Sequence, residues 1–389
     1  MNGRALSIFN LTDGCIRAFG IGGGNVACFG RVAILAILLP VAAQSKAELY
    51  AGWAVGHAGT IMHTLDSGAT WVRQGSGQVA SVMLGGVFAV DATTAWVVGD
   101  ASGAYATIYH TTDGGGTWVR KGFGQAALSN IDLGKVHVCS NHVWAVGTGA
   151  IVHSGDAGAT WTNLVPADYQ QTHLQGVYTI GGTTVWVTGK GTNASDYASI
   201  LKSTDIGQTW MRQTGGSITQ ANHILGISAA DAQTLWAIGG DDYIVFHTVD
   251  GGATWTKQAN PGGLGDANEV YAIDTQTVWI VTDNYIGWST NAGQTWATHH
   301  TTEFTMGVSA AGAREAWCAS SSAYGFGAVE HTADGGATWD VQIGMSNGVA
   351  PLWTISFARD PVPEPGIALL LIGLIGVVGR VGHVRRRGK

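Results

Sequence analysis

Charge is scarce in this sequence. Asp, Glu, Lys and Arg together make up 12 % of 389 residues, about half the usual ~25 %. Proline occurs 7 times and cysteine 4 times, too few for a collagen-like chain or a disulfide-built scaffold. Basic residues are scarcest where a binding body would need them. Residues 1–46 carry Arg4, Arg17, Arg31 and Lys46 against Asp13. Residues 361–389 carry Arg380, Arg385, Arg386, Arg387 and Lys389 against Glu364. With a total of −7, the two ends are +3 and +4 and everything between them is −14. A duplex-binding protein needs cationic surface to displace counterions from phosphate, so nucleic acid is excluded as the expected partner.

Long apolar runs are also few, and both lie in the cationic ends. Residues 32–43 (VAILAILLPVAA) follow Arg31 and lead into small residues that could place cleavage after Ala43 or Ala47. The run is too short to span a bilayer comfortably, and residues 1–47 read as a secretory signal region. At the other end, Val362-Pro363-Glu364-Pro365-Gly366 precedes an apolar stretch from Ile367 and then Arg385, Arg386 and Arg387. Residues 361–389 closely resemble the PEP-CTERM sorting signal, in which Pro363, Glu364 and Pro365 would be the motif. The resemblance implies a single-pass inner-membrane precursor, exosortase as processing partner, and a final place in the periplasm, at the cell surface or outside the cell.

What is abundant is glycine, 59 residues, and tryptophan, 16. This composition disfavours helices and can fill a large core. The cause is a repeat. The string Ser/Thr-x-Asp/Asn-x-Gly-x-Thr-Trp occurs at 64–71, 111–118, 154–161, 203–210, 248–255, 289–296 and 332–339, a period of about 45 residues, as in propeller blades. Upstream of each copy stands a second tryptophan: Trp53, Trp96, Trp144, Trp186, Trp236, Trp279 and Trp317. Each unit parses into four strands; in the fifth they are expected at 224–229, 235–239, 243–248 and 254–258. The box is the turn between strands three and four, built by side-chain bonds to backbone and by glycine, and its closing tryptophan is expected to pack between blades. Residues 48–360 therefore read as one all-β domain, a seven-bladed propeller. The first unit lacks a first strand and residues 352–357 supply an unused one, so the N- and C-terminal segments share a blade. Cys139 and Cys318 fall in distant repeats and are expected as two buried, unpaired thiols.

The boxes resemble the BNR/Asp-box repeat. With the Trp-Ala-Val-Gly element they look most like photosystem II stability/assembly factor-like propellers over nearly all of 50–358. That resemblance implies a non-enzymatic binding protein, which in phototrophs chaperones a membrane complex. The acidic body departs from the family's arginine-bearing surface: its arginines are Arg73, Arg120, Arg212, Arg314 and Arg359. Sialidases share the box, but their chemistry needs an arginine triad and a Tyr/Glu nucleophile pair, for which too few arginines stand in suitable loops. A sialidase-like glycoside hydrolase thus remains an alternative, supported only if paired carboxylates meet in the central cleft.

Asp66, Asp113, Asp156, Asp205, Asp250, Asn291 and Asp334 recur once per blade, and His63, His110, His153, His247 and His331 each sit three residues before a box Asp in five of the seven, so neither set can converge on one ligand; both read as structural. No zinc spacing, nucleophile elbow, Walker loop or dinucleotide fingerprint is present, and neither metal nor cofactor is expected. The links between strands two and three, and from strand four to the next strand one, vary and share one face. Binding tends to reside on such loops, which makes Tyr105, Asp196, Tyr197, Asp241, Asp242, Tyr243, Asp283, Tyr285 and Tyr324 candidates for contacting an envelope protein or an extracellular polysaccharide.

Overall fold

A computed structural model describes residues 48–190, 199–218, 223–239, 244–258, 266–301, 303–322, 325–344 and 347–358. They form seven four-stranded antiparallel sheets, the blades of a β-propeller. The first strands, in the order of blades one to seven, are Leu352–Phe357, Leu84–Ala89, Leu133–Cys139, His173–Ile180, Ile224–Ala229, Ala267–Ala272 and Phe304–Ala310. Blade one joins the two chain segments as the repeat requires: Gly52 pairs with Phe357 and Ala54 with Ile355. Each first strand touches the first strand of the next blade, and Leu352–Phe357 touches both Phe304–Ala310 and Leu84–Ala89. The seven inner strands thus close a ring, which leaves only the short outer strands as free edges.

In the fifth blade the first two strands lie where expected, at Ile224–Ala229 and Leu235–Gly239. The third is Ile244–Thr248 and the fourth only Thr256–Lys257. The fourth starts late because Thr254 belongs to the box turn: Asp250 Oδ1 accepts its backbone N–H at 2.9 Å and Oδ2 accepts its hydroxyl.

The two tryptophans of each repeat divide the work of burial. The upstream set is the core: Trp53, Trp144, Trp186, Trp236, Trp279 and Trp317 have no exposed surface, and Trp96 has 2 %. Each such ring removes up to about 4–6 kcal/mol of apolar surface energy from water before entropy is counted. Its inner face stacks on the cross-strand partner of its own blade. That partner is histidine in five blades, as in Trp53–His63 (4.3 Å) and Trp96–His110 (4.0 Å), Lys202 in blade four and Trp288 in blade six. The box tryptophan packs between blades as expected, but its burial varies from blade to blade. Trp118, Trp161 and Trp255 are buried, whereas Trp71, Trp210, Trp296 and Trp339 keep partial exposure. It closes the seam by standing edge-on to the upstream tryptophan of the preceding blade, as in Trp96–Trp161 and Trp144–Trp210.

The box aspartates are fasteners. In blade two, Asp113 Oδ1 accepts the Thr111 hydroxyl and the Thr117 N–H, Oδ2 accepts the Thr117 hydroxyl, and Gly115 N–H donates to Thr111 Oγ1. Gly115 takes φ +83°, a left-handed conformation that favours glycine. The Thr117 and Thr111 bonds pull the Asp113 carboxyl down to about 2, and Asp205, Asp250 and Asp334 are held equally low by the same contacts. Cys139 and Cys318 are unpaired, but only Cys318 is buried. Cys139 ends its strand at the one-to-two link and is partly exposed, a correction to the expectation of two buried thiols. No helix among the described residues is long and apolar enough to cross a membrane; residues 1–47 and 361–389 lie outside them.

Candidate functional site

All seven inner strands carry a β-bulge at the same height. The ladder to strand two skips one residue in each, at Gly85, Gly134, Gln175, Leu225, Asn268, Met306 and Trp353. A bulge re-aims the unpaired residue, and here all seven line one cavity of about 320 Å³. The registers fix which end of the channel this is. Leu133 pairs with Gly147 beside the cavity, whereas Cys139 pairs with His142 at the far end. The cavity therefore opens on the face of the two-to-three and four-to-one links, and it is the mouth of the axial channel.

One residue deeper the chain comes to Gly86, Lys135, Gly176, Gly226, Glu269, Gly307 and Thr354. Glycine dominates because the inner strands crowd together: a Cβ on Gly307 would lie 2.7 Å from Thr354 Cα. The two charged exceptions meet. Lys135 Nζ donates to Glu269 Oε1 at 2.6 Å, and Glu269 Oε2 accepts the Val308 N–H at 3.2 Å. The pair spans blades three and six and narrows the channel to a waist. Below it, a second cavity of about 310 Å³ carries Phe88, His137, Tyr178 and Tyr271.

The mouth is acidic on one side. Asp100 and Asp132, from neighbouring blades, both line it, and Asp132 Oδ1 accepts the Ala101 N–H at 2.8 Å. Burial, and then the Asp132 charge, push the Asp100 carboxyl above its ordinary value, slightly offset by His57. Trp353 stands beside them with the His57 ring 5.6 Å away. Among the described residues no group of three or more His, Cys, Asp or Glu is arranged to hold a metal ion.

Of the residues singled out by sequence, Asp283 reaches this region: its carboxylate accepts from Asn268 Nδ2 at 3.3 Å, while Asn268 also donates to Thr305 O at 2.8 Å. Tyr105 and Tyr285 begin third strands, further from the axis. Tyr105 packs on Phe123 (5.2 Å) and Tyr285 on His300 (4.8 Å). Asp196, Tyr197, Asp241, Asp242, Tyr243 and Tyr324 fall outside the described residues, as do Pro363, Glu364 and Pro365. The sequence reading missed the bulge ring and the charged waist. Their signal is an apolar residue, any residue, a small or charged residue and then Val or Ile, as in Leu133-Gly134-Lys135-Val136 and Ala267-Asn268-Glu269-Val270.

Comparison with known proteins places this geometry. Residues 77–191 match the family model described as photosynthesis system II assembly factor YCF48, and residues 361–387 match the PEP-CTERM protein-sorting motif, which marks the chain for export and sorting. A solved structure of YCF48 bound to D1 peptide is 17 % identical, covers 69 % of this chain and 85 % of its own, and superposes with a TM-score of 0.54. A nidogen/laminin complex is 11 % identical, with 80 % and 98 % covered and a TM-score of 0.50. YCF48 from Cyanidioschyzon merolae is 18 % identical, with 66 % and 84 % covered and a TM-score of 0.49. At such identities the first two likenesses speak for the fold. No curated protein matches the sequence.

Proposed function

We propose that the chain is an exported, surface-sorted, non-enzymatic binding protein that seats an envelope polypeptide on the face carrying the channel mouth. The observation that carries this reading is the bulge ring. One fold position, repeated seven times, presents five different side chains and two glycines (Gly85 and Gly134), all lining one cavity. The opposite face repeats the same box seven times. A surface that varies over a rigid ring is suited to recognition. The YCF48 match and the D1 peptide bound by YCF48 favour a polypeptide over an extracellular polysaccharide, and exosortase is the processing partner implied by the sorting motif. Asp283, beside the mouth, and the loops at 196–197 and 241–243 would border the contact, with Tyr105, Tyr285 and Tyr324 at its periphery.

The test is site-specific photo-crosslinking in the full-length chain. A probe at the exposed Gln175 in the mouth should capture a defined polypeptide that a probe at the exposed box residue Thr117 does not. Replacing Asp241, Asp242 and Tyr243 by alanine should reduce the yield from Gln175. Equal capture from both faces sinks the assignment.

A glycoside hydrolase is the second reading, favoured by one observation: Asp100, its carboxyl raised, stands with Asp132 in the central cleft, as an acid–base pair would. Turnover of a sugar polymer by the purified chain, abolished in Asp100→Asn, would establish it against the binding reading.

A further inference from the structure

The cavity below the waist has no part in the reading above. It lies on the other side of the Lys135–Glu269 pair from the mouth, toward the box-turn face. Its volume of about 310 Å³ is at the lower end of small-molecule sites, enough for one ring and not for a chain. Three successive blades wall one side with aromatic rings: Phe88 to His137 is 4.6 Å and His137 to Tyr178 is 4.2 Å. All three keep partial exposure, as does Tyr271 across blade five. Ser228 and Ser356 line the same space. Each Oγ already accepts a backbone N–H, from Ala272 and Ala89 respectively, at 3.0 Å, which leaves the hydroxyl proton to donate. The roof is the ion pair, and Lys135 Nζ spends one of its three N–H bonds on Glu269.

We infer that this chamber binds a single neutral pyranose ring, either a free sugar or the terminal unit of a glycan. The chemistry narrows the choice. A wholly apolar ligand would leave the serine hydroxyls and the remaining lysine donors unpaired in a confined space, which is costly. An anionic ligand would sit against the Glu269 carboxylate, and the single Lys135 charge is already offset by that carboxylate. A neutral polyhydroxylated ring has an apolar C–H face for the aromatic arc and oxygens for the serine and lysine donors, so both walls are satisfied at once.

The test is saturation-transfer NMR on the full-length chain with D-glucose, D-galactose, D-mannose and N-acetyl-D-glucosamine, and D-galacturonate as the charged comparison. At least one neutral sugar should receive saturation on its C–H face, and galacturonate should bind more weakly than galactose. Phe88→Leu and Tyr178→Leu should each weaken binding about tenfold, with folding checked by near-UV circular dichroism, while Met306→Ala, which lines the mouth and not the chamber, should leave it unchanged. The two aromatic variants are independent, so failure of one to fold leaves the other decisive. If a tetrasaccharide of the bound sugar binds as well as the monomer, the ligand is a chain end; if only the monomer binds, it is a free sugar. Absence of saturation for every neutral sugar at 50 mM, tighter binding of galacturonate, or full binding in both aromatic variants overturns the inference.

Discussion

Lys135 and Glu269 are 134 residues apart in sequence and 2.6 Å apart in space. They occupy the same structural position in two blades, where four of the other five blades have glycine. With side-chain exposures of 25 % and 20 %, the pair lies between a surface bridge and a buried one. Removing either partner should therefore cost about 1–2 kcal/mol. Glu269→Ala should be the worse of the two, since it also strips the Val308 N–H of its acceptor. The double variant should cost less than the sum, by about 1 kcal/mol of coupling. Urea unfolding of the two singles and the double decides it, and strict additivity would show that the contact contributes nothing.

The repeat, the strand order and the shared blade were legible because each leaves a periodic trace: a fixed turn chemistry every ~45 residues and a stray strand at 352–357. The bulge ring was not. A bulge breaks the two-residue alternation that identifies a strand, so Gln175 or Met306 reads as a strand residue on the wrong face. The waist pair was hidden for a different reason. Lys135 and Glu269 look like isolated charges until ring closure brings blades three and six across one axis, and nothing in local sequence sets that distance. The tyrosines, by contrast, drew attention by their place on the variable two-to-three links, and Tyr105 and Tyr285 pack on their own blades' outer residues.

The stacked histidines should make the fold acid-sensitive well above the carboxylate range. Burial lowers His63, His110 and His153 from an ordinary 6.5 to about 4 and lowers His247 as well. For His63 the neutral form is also set by its partner: Gln74 Nε2 donates to Nδ1 at 2.9 Å and to Gly114 O at 2.6 Å, while Gln74 Oε1 accepts from Trp53 Nε1 at 3.2 Å. Between pH 6.5 and 4 the unfolded chain takes up protons that the folded one refuses, so stability is complete above about 6.5 and falls as pH drops toward 4. Urea midpoints measured across that window should decline, and less steeply in His110→Gln. A flat profile in wild type would contradict the stacking account.

Blade four offers a natural substitution experiment. Lys202 occupies the histidine position, 5.1 Å over the Trp186 ring, and donates to Gly251 O of the next blade at 2.8 Å. Lys202→His restores the stack used by five other blades and gives up the Gly251 bond and a partly screened attraction to the Asp250 carboxylate, so it should cost about 1 kcal/mol or less. Lys202→Ala loses both contacts and should cost about 1–2 kcal/mol. Thermal denaturation ranks them; equal losses would mean that the ring contact at this position is idle.

Blade six shows what an aspartate-free box needs. Asn291 Oδ1 accepts the Ser289 hydroxyl at 3.0 Å and the Thr295 N–H at 2.9 Å, and its Nδ2 donates to Thr295 Oγ1 at 2.8 Å, the reverse of the threonine-to-carboxylate bond elsewhere. A hydroxyl can serve either way, so Asp113→Asn should leave the urea midpoint at pH 7 close to wild type, whereas Asp113→Ala, which deletes every one of these bonds, should lower it clearly. The acid behaviour then separates the two working boxes. The Asp113 carboxyl is held near 2 against an ordinary 3.8, so its contribution is present above 3.8 and is lost as pH falls through 2. Asn has no proton to take up. Asp113→Asn should therefore lose less stability than wild type between pH 4 and pH 2, and a parallel loss in both proteins would show that the carboxylate charge, as distinct from its hydrogen bonds, plays no part in holding the turn.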